Sequence, residues 1–342
     1  GWTGQVDDYA LTCGWIHNGD SLLVGDICGG LYLFDGLTGQ IKWTKKDIHE
    51  ASLLAIAIHP SKPFFATAGK DGRLIIWHSQ KSDVVKTIEL GRGWVEHLYW
   101  SPDGKYLAAS MSRQVYVFDV DGGEIWRSSQ HKSTVSAIAW SSCSEIATAS
   151  YGGVTFFDVT RGSLNQKLEW QGSLISMVLS PDGDVVACGS QDNSVHFWRR
   201  STEMDAEMTG YPGKPSQLAF DQTGAFLATG GSDQVTVWTF EGDGPEGTLP
   251  GQFGLHSEPI SSLSFANYGP LLASGSRDGS VLIWFLDQCG DGDPLGGVFS
   301  GEKISSMAWS PDDNAIATVN ANGGVAVYKF KLRTSISSQE IG

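Results

Sequence analysis

The chain has 342 residues and a formal net charge of −15, with 23 Lys and Arg against 38 Asp and Glu. Binding to nucleic-acid phosphates is driven by Lys and Arg that release counterions, so this charge argues against a general nucleic-acid-binding surface. No apolar run approaches the roughly 20 residues that a transmembrane helix needs, and we therefore expect no membrane partner.

The cysteines indicate the compartment. They are odd in number and scattered over the chain, at Cys13, Cys28, Cys143, Cys188 and Cys289. This distribution is not a disulfide framework, and no basic stretch followed by an apolar one opens the chain as a leader would. We expect a reducing, cytoplasmic location.

A short apolar strand recurs along the chain and carries an aromatic residue near its end. In chain order these aromatic residues are Phe34, Trp77, Phe118, Phe157, Trp198, Trp238, Trp284 and Tyr328. Their separations are 43, 41, 39, 41, 40, 46 and 44 residues, a period typical of propeller blades. One such unit cannot bury both of its apolar faces, so its neighbours must cover it.

Two repeats carry the same four polar side chains at matching offsets. The second repeat, about residues 49–90, and the seventh repeat contain the sets His49, Thr67, Asp71, Trp77 and His256, Ser274, Asp278, Trp284. An ionised Asp in a tight turn can accept from turn N–H groups and from a histidine whose other nitrogen reaches the hydroxyl, while the Trp donates its single N–H. We interpret both sets as structural quartets.

The other repeats depart from this pattern. Cys28 in the first repeat and Arg113 in the third stand at the position of the turn Asp. The fourth repeat replaces that Asp by a turn at Tyr151, and the fifth has Trp170 in place of the histidine. Function is expected at these departures more than at the complete repeats.

With the final Trp on the third strand, the seventh-repeat quartet resembles the signature of the WD-repeat family. The resemblance covers nearly the whole chain, although the literal Trp-Asp pair is absent and Phe-Asp stands in three repeats. It implies an all-β fold, an eight-bladed β-propeller of four-stranded antiparallel blades, with seven regular blades plus an irregular one as the alternative. We expect a single domain over residues 1–342, closed into a ring by residues 1–6 or by residues 333–341.

The resemblance also implies a protein-binding face of loops around the central channel. Residues beside the second turn occupy matching positions in successive blades, namely Lys70, Arg113, Tyr151, Gln191, Ser232 and Arg277. Trp94, near the start of a first strand, is expected on the same side. Arginine and aromatic residues are the commonest interface anchors, so Trp94, Arg113, Tyr151 and Arg277 are the first predicted partner contacts, and Lys70 and Gln191 follow. The alternative for each is an ordinary loop residue.

These patterns favour a monomeric, non-catalytic scaffold that binds a protein or peptide partner without a cofactor. One alternative is an accessory role in zinc handling or small-ligand binding, because the chain loosely resembles compact bacterial WD-repeat proteins associated with zinc-handling GTPases. Cys13, Cys28 and His59 are the residues to test for it. No CxxC or HxxxH spacing is present, so no metal site is predicted.

A second alternative is a hydrolase, because the His/Ser/Asp trio resembles a catalytic triad. The trio recurs as His49, Thr67 and Asp71, whereas a nucleophile needs one exposed site with an oxyanion hole. The recurrence favours structural use, and we predict that the chain is not an enzyme.

Overall fold

The computed structural model describes residues 1–16, 19–50, 52–242 and 244–330, in which every strand belongs to a four-stranded antiparallel sheet and no residue is helical. The first sixteen strands are β1 (Trp2–Gln5), β2 (Ala10–Ile16), β3 (Ser21–Asp26), β4 (Leu31–Asp35), β5 (Ile41–Lys45), β6 (Leu53–Ile58), β7 (Phe64–Gly69), β8 (Arg73–His78), β9 (Asp83–Glu89), β10 (Val95–Trp100), β11 (Tyr106–Met111), β12 (Gln114–Asp119), β13 (Glu124–Arg127), β14 (Ala137–Trp140), β15 (Glu145–Ser150) and β16 (Gly153–Asp158). The others are β17 (Ser163–Glu169), β18 (Leu174–Leu179), β19 (Val185–Ser190), β20 (Val195–Arg199), β21 (Met204–Met208), β22 (Gln217–Phe220), β23 (Phe226–Gly230), β24 (Val235–Thr239), β25 (Gly251–Phe253), β26 (Ile260–Phe265), β27 (Leu271–Ser276), β28 (Ser280–Leu286), β29 (Gly292–Phe299), β30 (Ile304–Trp309), β31 (Ala315–Asn320) and β32 (Gly324–Lys329).

The sheets are the blades of a propeller. Blade 1 contains β2 to β5, each later blade takes the next four strands, and blade 8 joins β30, β31 and β32 to β1. The first strand of each of blades 1 to 8 contacts the first strands of its two neighbours, and β2 contacts β30, which closes the ring. The predicted eight-bladed β-propeller of four-stranded antiparallel blades is confirmed.

Alternating side chains explain why each blade needs two neighbours. In β8, Leu74 and Ile76 pack into the apolar cluster shared with blade 3, whereas Ile75 and Trp77 pack into the cluster shared with blade 1. This is the period of two that a strand imposes on its side chains. Eight such clusters lie in the described part of the chain, one between each pair of neighbouring blades, so the core is a ring of interfaces.

The eighth blade takes its outer strand from the start of the chain. β1 pairs with β32 over the register Trp2↔Val327 to Gln5↔Gly324. The Trp2 ring stacks on Phe34 of blade 1 at 5.5 Å, and its Nε1 donates to the Gly36 carbonyl at 3.0 Å. Residues 1–6 therefore supply the fourth strand, while the other predicted closing segment, residues 333–341, lies outside the described residues.

Candidate functional site

The turns between second and third strands lie at one end of the ring, together with the connections between blades. We call this end the top face. Hydrogen bonds fix its geometry. The N–H of Lys70 donates to the Ser52 carbonyl at 2.9 Å, and the N–H of Arg277 donates to the Pro259 carbonyl at 3.0 Å. Each turn is thereby fastened to the segment that leads into its own blade.

The blade 2 quartet forms a closed set of hydrogen bonds below this face. His49 Nδ1 lies 3.0 Å from Asp71 Oδ1, and His49 Nε2 lies 3.1 Å from Thr67 Oγ1. Trp77 Nε1 donates to the same Thr67 oxygen at 3.0 Å. A neutral His49 that donates from Nδ1 to the carboxylate and accepts the Thr67 hydroxyl proton at Nε2 satisfies every group. All four side chains are therefore used structurally.

The blade 7 quartet differs from the expected direct contact between histidine and aspartate. His256 Nδ1 is 3.9 Å from Asp278 Oδ1 and instead lies 2.6 Å from Ser280 Oγ, whose hydroxyl donates to Asp278. Nε2 still meets Ser274 Oγ at 2.7 Å, and Trp284 Nε1 donates to that oxygen at 2.8 Å. Sequence reasoning missed Ser280, although a hydroxyl two residues after the turn Asp is the signal that could have indicated it.

Burial sets the protonation of these quartets. It lowers the pKa of both His49 and His256, because the charged imidazolium is poorly solvated inside a blade. Burial raises the pKa of Asp71, but the Glu50 N–H, His49 and Arg73 more than offset this and lower it to about 2. The resulting state is a neutral histidine beside an ionised aspartate.

The same geometry argues against catalysis by the trio. Ser274 Oγ meets His256 Nε2 as a nucleophile would meet its base, but Ser274 and Thr67 are both 0% exposed. Each hydroxyl oxygen also accepts a Trp N–H. A substrate carbonyl cannot reach either oxygen, so the two hydroxyls serve the fold.

Two other blades replace the histidine by an aromatic residue. In blade 6 the Tyr211 hydroxyl lies 3.0 Å from Thr229 Oγ1 and accepts the Trp238 N–H at 2.7 Å, so a tyrosine takes the histidine's place. In blade 5 Trp170 stacks on His196 with centroids 3.8 Å apart, and its buried N–H has no partner among the described residues. Trp170, which replaces the quartet histidine of the fifth repeat, is thus packed within its blade. Sequence reasoning missed this role of Tyr211.

Four of the predicted contact residues lie on consecutive blades of the top face. Trp94 and Tyr151 are 54% and 53% exposed. Lys70 Nζ lies 4.5 Å from the centroid of the Trp94 ring, and Arg113 Nε donates to the His131 carbonyl at 2.8 Å. These residues of blades 2, 3 and 4 form one side of the top face.

The remaining predicted contacts lie elsewhere on the same face. Gln191 is exposed on blade 5, where its N–H donates to the Ser173 carbonyl, and Arg277 is exposed on blade 7. Arg277 is thus three blades from Tyr151. The structure brings Lys70, Trp94, Arg113 and Tyr151 together but not Arg277 with them.

No group of three or more His, Cys, Asp or Glu side chains that could hold a metal ion occurs within residues 1–16, 19–50, 52–242 and 244–330. His59 Nε2 donates to the Gly104 carbonyl at 3.0 Å and its Nδ1 accepts two backbone N–H groups. Cys28 Sγ lies 3.1 Å from Asp8 Oδ2. His59 is therefore engaged in fastening a turn.

Models of two families match the chain. The model for the WD domain, G-beta repeat, matches residues 44–78, 162–199 and 247–284, and the model for the anaphase-promoting complex subunit 4 WD40 domain matches residues 90–143. Each WD-domain match runs from an outer strand to the Trp-bearing third strand of the next blade. The family match and the blade boundaries thus agree.

Curated relatives cover most of the chain at low identity. Autophagy-related protein 16 of Arabidopsis thaliana is 23% identical over 82% of this chain, and the guanine nucleotide-binding protein subunit beta of Oryza sativa subsp. japonica is 23% identical over 82% of it. The chain spans 56% of the first and 81% of the second. It spans 11% of telomerase protein component 1 of Mus musculus, which is 24% identical.

Solved structures share the fold. The computationally designed Ika8 protein superposes with a TM-score of 0.80 at 19% identity, covering 96% of this chain and 100% of that one. A chain in the crystal structure of the mitotic checkpoint complex superposes with a TM-score of 0.68 at 18% identity, covering 81% and 87%. The part of the chain that the structure describes contains no helix with the length and apolar character needed to span a bilayer.

Proposed function

Since the chain is a WD-repeat β-propeller, we propose that it is a non-catalytic scaffold whose top face binds a protein or peptide partner. Propellers of this family typically bind protein partners. The observation that carries the proposal is the exposure of Trp94, at 54%, beside Lys70 on the same face as Arg113. Trp and Arg are the residues most often found at the centre of binding energy in interfaces.

Affinity purification from the native cell with quantitative mass spectrometry tests this proposal. The double variant Trp94→Ala/Arg113→Ala should lose the partner while its thermal melting stays unchanged, because neither side chain is in the core. The matched control is Tyr268→Ala/Arg161→Ala, which removes an exposed aromatic residue and an exposed arginine from turns at the other end of the ring. An identical partner list from both variants and the wild type would refute the proposal.

We further propose a single-domain, monomeric protein of the cytoplasm. All five cysteines are free, as expected of a protein kept in a reducing compartment. The described strands form one closed ring without a break between domains. Light scattering of the purified protein should give the monomer mass, and fractionation of the native cell should recover the protein with cytoplasmic markers.

A further inference from the structure

We propose that one sector of the top face binds an acidic peptide segment that carries an aromatic or other large apolar side chain. The cationic sector, as we call it, consists of Lys70, Arg92, Trp94, Arg113, Lys132 and Tyr151. This inference rests on the proposed scaffold function and names the chemistry of its partner. Sequence reasoning missed Arg92 and Lys132, which lie in connections between blades rather than beside the second turns.

Contacts between neighbouring blades make the sector continuous. Lys70 of blade 2 lies over Trp94. The residue before Trp94, Gly93, packs closely against Met111 of blade 3: a Cβ added to Gly93 would lie 3.0 Å from the Met111 side chain. Met111 is two residues before Arg113, whose Nε donates to the carbonyl of His131, next to Lys132. The Tyr151 N–H then donates to Ser133 Oγ at 2.8 Å. The six residues therefore cover three adjoining blades.

The cations of the sector have no carboxylate of their own. Among the described residues, Lys70, Arg92, Arg113 and Lys132 have no acidic oxygen within 4.0 Å. Three nearby carboxylates are already paired: Asp71 and Glu50 share Arg73, at 2.7 Å and 3.8 Å, and Glu169 pairs with Lys167 at 2.5 Å.

Glu89 and Glu96 lie three residues before and four residues after Arg92, and neither forms an ion pair with any residue that the structure describes. With Arg73 and Lys167 included, six cations face five carboxylates, so the balance in the sector is positive by one charge, although the chain as a whole carries −15. A local excess of one sign steers oppositely charged ligands to it.

The charged groups also retain free hydrogen-bonding capacity. The Arg113 guanidinium uses its Nε–H on the His131 carbonyl, and no other hydrogen bond from it is formed within the described residues. Its remaining donors have the fork geometry that pairs with a carboxylate through two hydrogen bonds. Trp94 and Tyr151 are each about half exposed and provide aromatic surface against which an aromatic side chain of the ligand can pack.

Charge on the rest of the top face selects the kind of ligand. The connections around blades 7, 8 and 1 expose Asp8, Asp47, Glu258 and Glu302. A long polyanion such as a nucleic acid is disfavoured by the net charge of the chain, −15. A short acidic segment can occupy the sector alone, because charges more than about 8 Å away are largely screened at physiological ionic strength. We therefore assign the sector to an acidic peptide.

The test selects displayed random peptides of about ten residues on the intact protein, with deep sequencing before and after selection. Peptides enriched on the wild type should carry net negative charge and at least one aromatic residue. For one selected peptide made with a dye label, the Arg92→Glu/Lys132→Glu variant should raise Kd at least about tenfold, or about 1.4 kcal/mol. Added salt should raise Kd as well.

The matched control is Lys62→Glu/Lys81→Glu, which makes the same charge change on exposed lysines in turns at the other end of blade 2 and should leave Kd unchanged. The inference would be overturned if the enriched peptides were neutral or basic, or if none were enriched. It would also be overturned if a dye-labelled single-stranded oligonucleotide bound more tightly than the peptide, or if both variants had equal effects on Kd. Cellular partner capture separates the two proposals. A partner lost with Trp94→Ala/Arg113→Ala but kept with Arg92→Glu/Lys132→Glu refutes the inference alone.

Discussion

Thr67 and Ser274 show how much depends on single hydroxyl groups. Each is fully buried, and each receives a Trp N–H while bonding to a histidine. The residue types and their spacing were enough to predict these contacts. The sequence offers the Ser280 hydroxyl as a candidate for the relay, but whether it joins depends on whether histidine and aspartate stand 3.0 Å or 3.9 Å apart, a distance that the sequence does not give.

Thr67→Val should lower the free energy of unfolding by on the order of 2 kcal/mol, because it leaves the Trp77 N–H and His49 Nε2 buried without partners. Urea denaturation followed by tryptophan fluorescence measures the change. The control is Thr209→Val, an exposed position for which a change below about 0.5 kcal/mol is expected. If Thr67→Val and Thr209→Val lowered the free energy of unfolding equally, the quartet would not stabilise blade 2.

Tyr211→Phe should also destabilise the protein, by about 1–3 kcal/mol, because the Trp238 N–H loses its acceptor inside blade 6. Tyr268→Phe is the matched control, since Tyr268 is 72% exposed. Urea denaturation of the two variants distinguishes them. A Tyr211 variant as stable as wild type would mean that tyrosine does not replace the quartet histidine.

The buried histidines predict the dependence of stability on pH. Burial lowers the pKa of His49, His131 and His256, so below the unfolded pKa of about 6.5 the unfolded chain binds more protons than the native one. Stability should therefore be full above about pH 7 and fall between about pH 6.5 and 5.

The depressed pKa of Asp71 adds a separate loss only below about pH 4, as the pH approaches its folded value of about 2. Urea midpoints measured from pH 7.5 to 5 check the histidine contribution. His131→Gln should flatten that part of the profile, because one titrating group is removed. A midpoint that rises as the pH falls would contradict the assignment of neutral histidines.

At the scale of the strand and blade, most of the fold could be predicted from the periodicity of the sequence. The aromatic residue of each third strand recurs at blade spacing, and alternation such as that of Ile75 and Ile76 places side chains in the two clusters that flank a blade. Which terminus completes blade 8 was left open, because residues 1–6 and 333–341 both looked able to add a strand. Pairing of Trp2 with Val327 is a long-range contact that a local pattern cannot specify.

Removing β1 should open the ring between blades 8 and 1. The milder variant Trp2→Ala keeps the strand but loses the stacking on Phe34 and the bond to Gly36, at an expected cost of roughly 1–3 kcal/mol. Urea denaturation should show this loss, and deletion of residues 1–6 should show a larger one. Trp94→Ala is the control for loss of an exposed tryptophan. If Trp2→Ala were no more destabilising than Trp94→Ala, β1 would not be the closing strand.

At the scale of the whole molecule, the ring brings residues of successive blades together on one surface. Lys70, Arg113 and Tyr151 could be placed on the top face from their matching positions beside second turns. Trp94 could be placed there because it directly precedes a first strand, whereas Arg92 and Lys132 lie farther back in connections that vary in length and give no fixed offset. The grouping of these cations became evident only from contacts such as that between Arg113 and the His131 carbonyl.

The central claim is that the partner binds at the top face. Photocrosslinking in the native cell tests it most directly, with benzoylphenylalanine replacing Trp94 in one variant and Tyr268 in another. Both side chains are exposed, but Tyr268 belongs to a turn at the opposite end of the ring. A partner bound at the top face should give a discrete crosslinked product from position 94 and none from position 268. The same partner crosslinked from position 268 alone would contradict it.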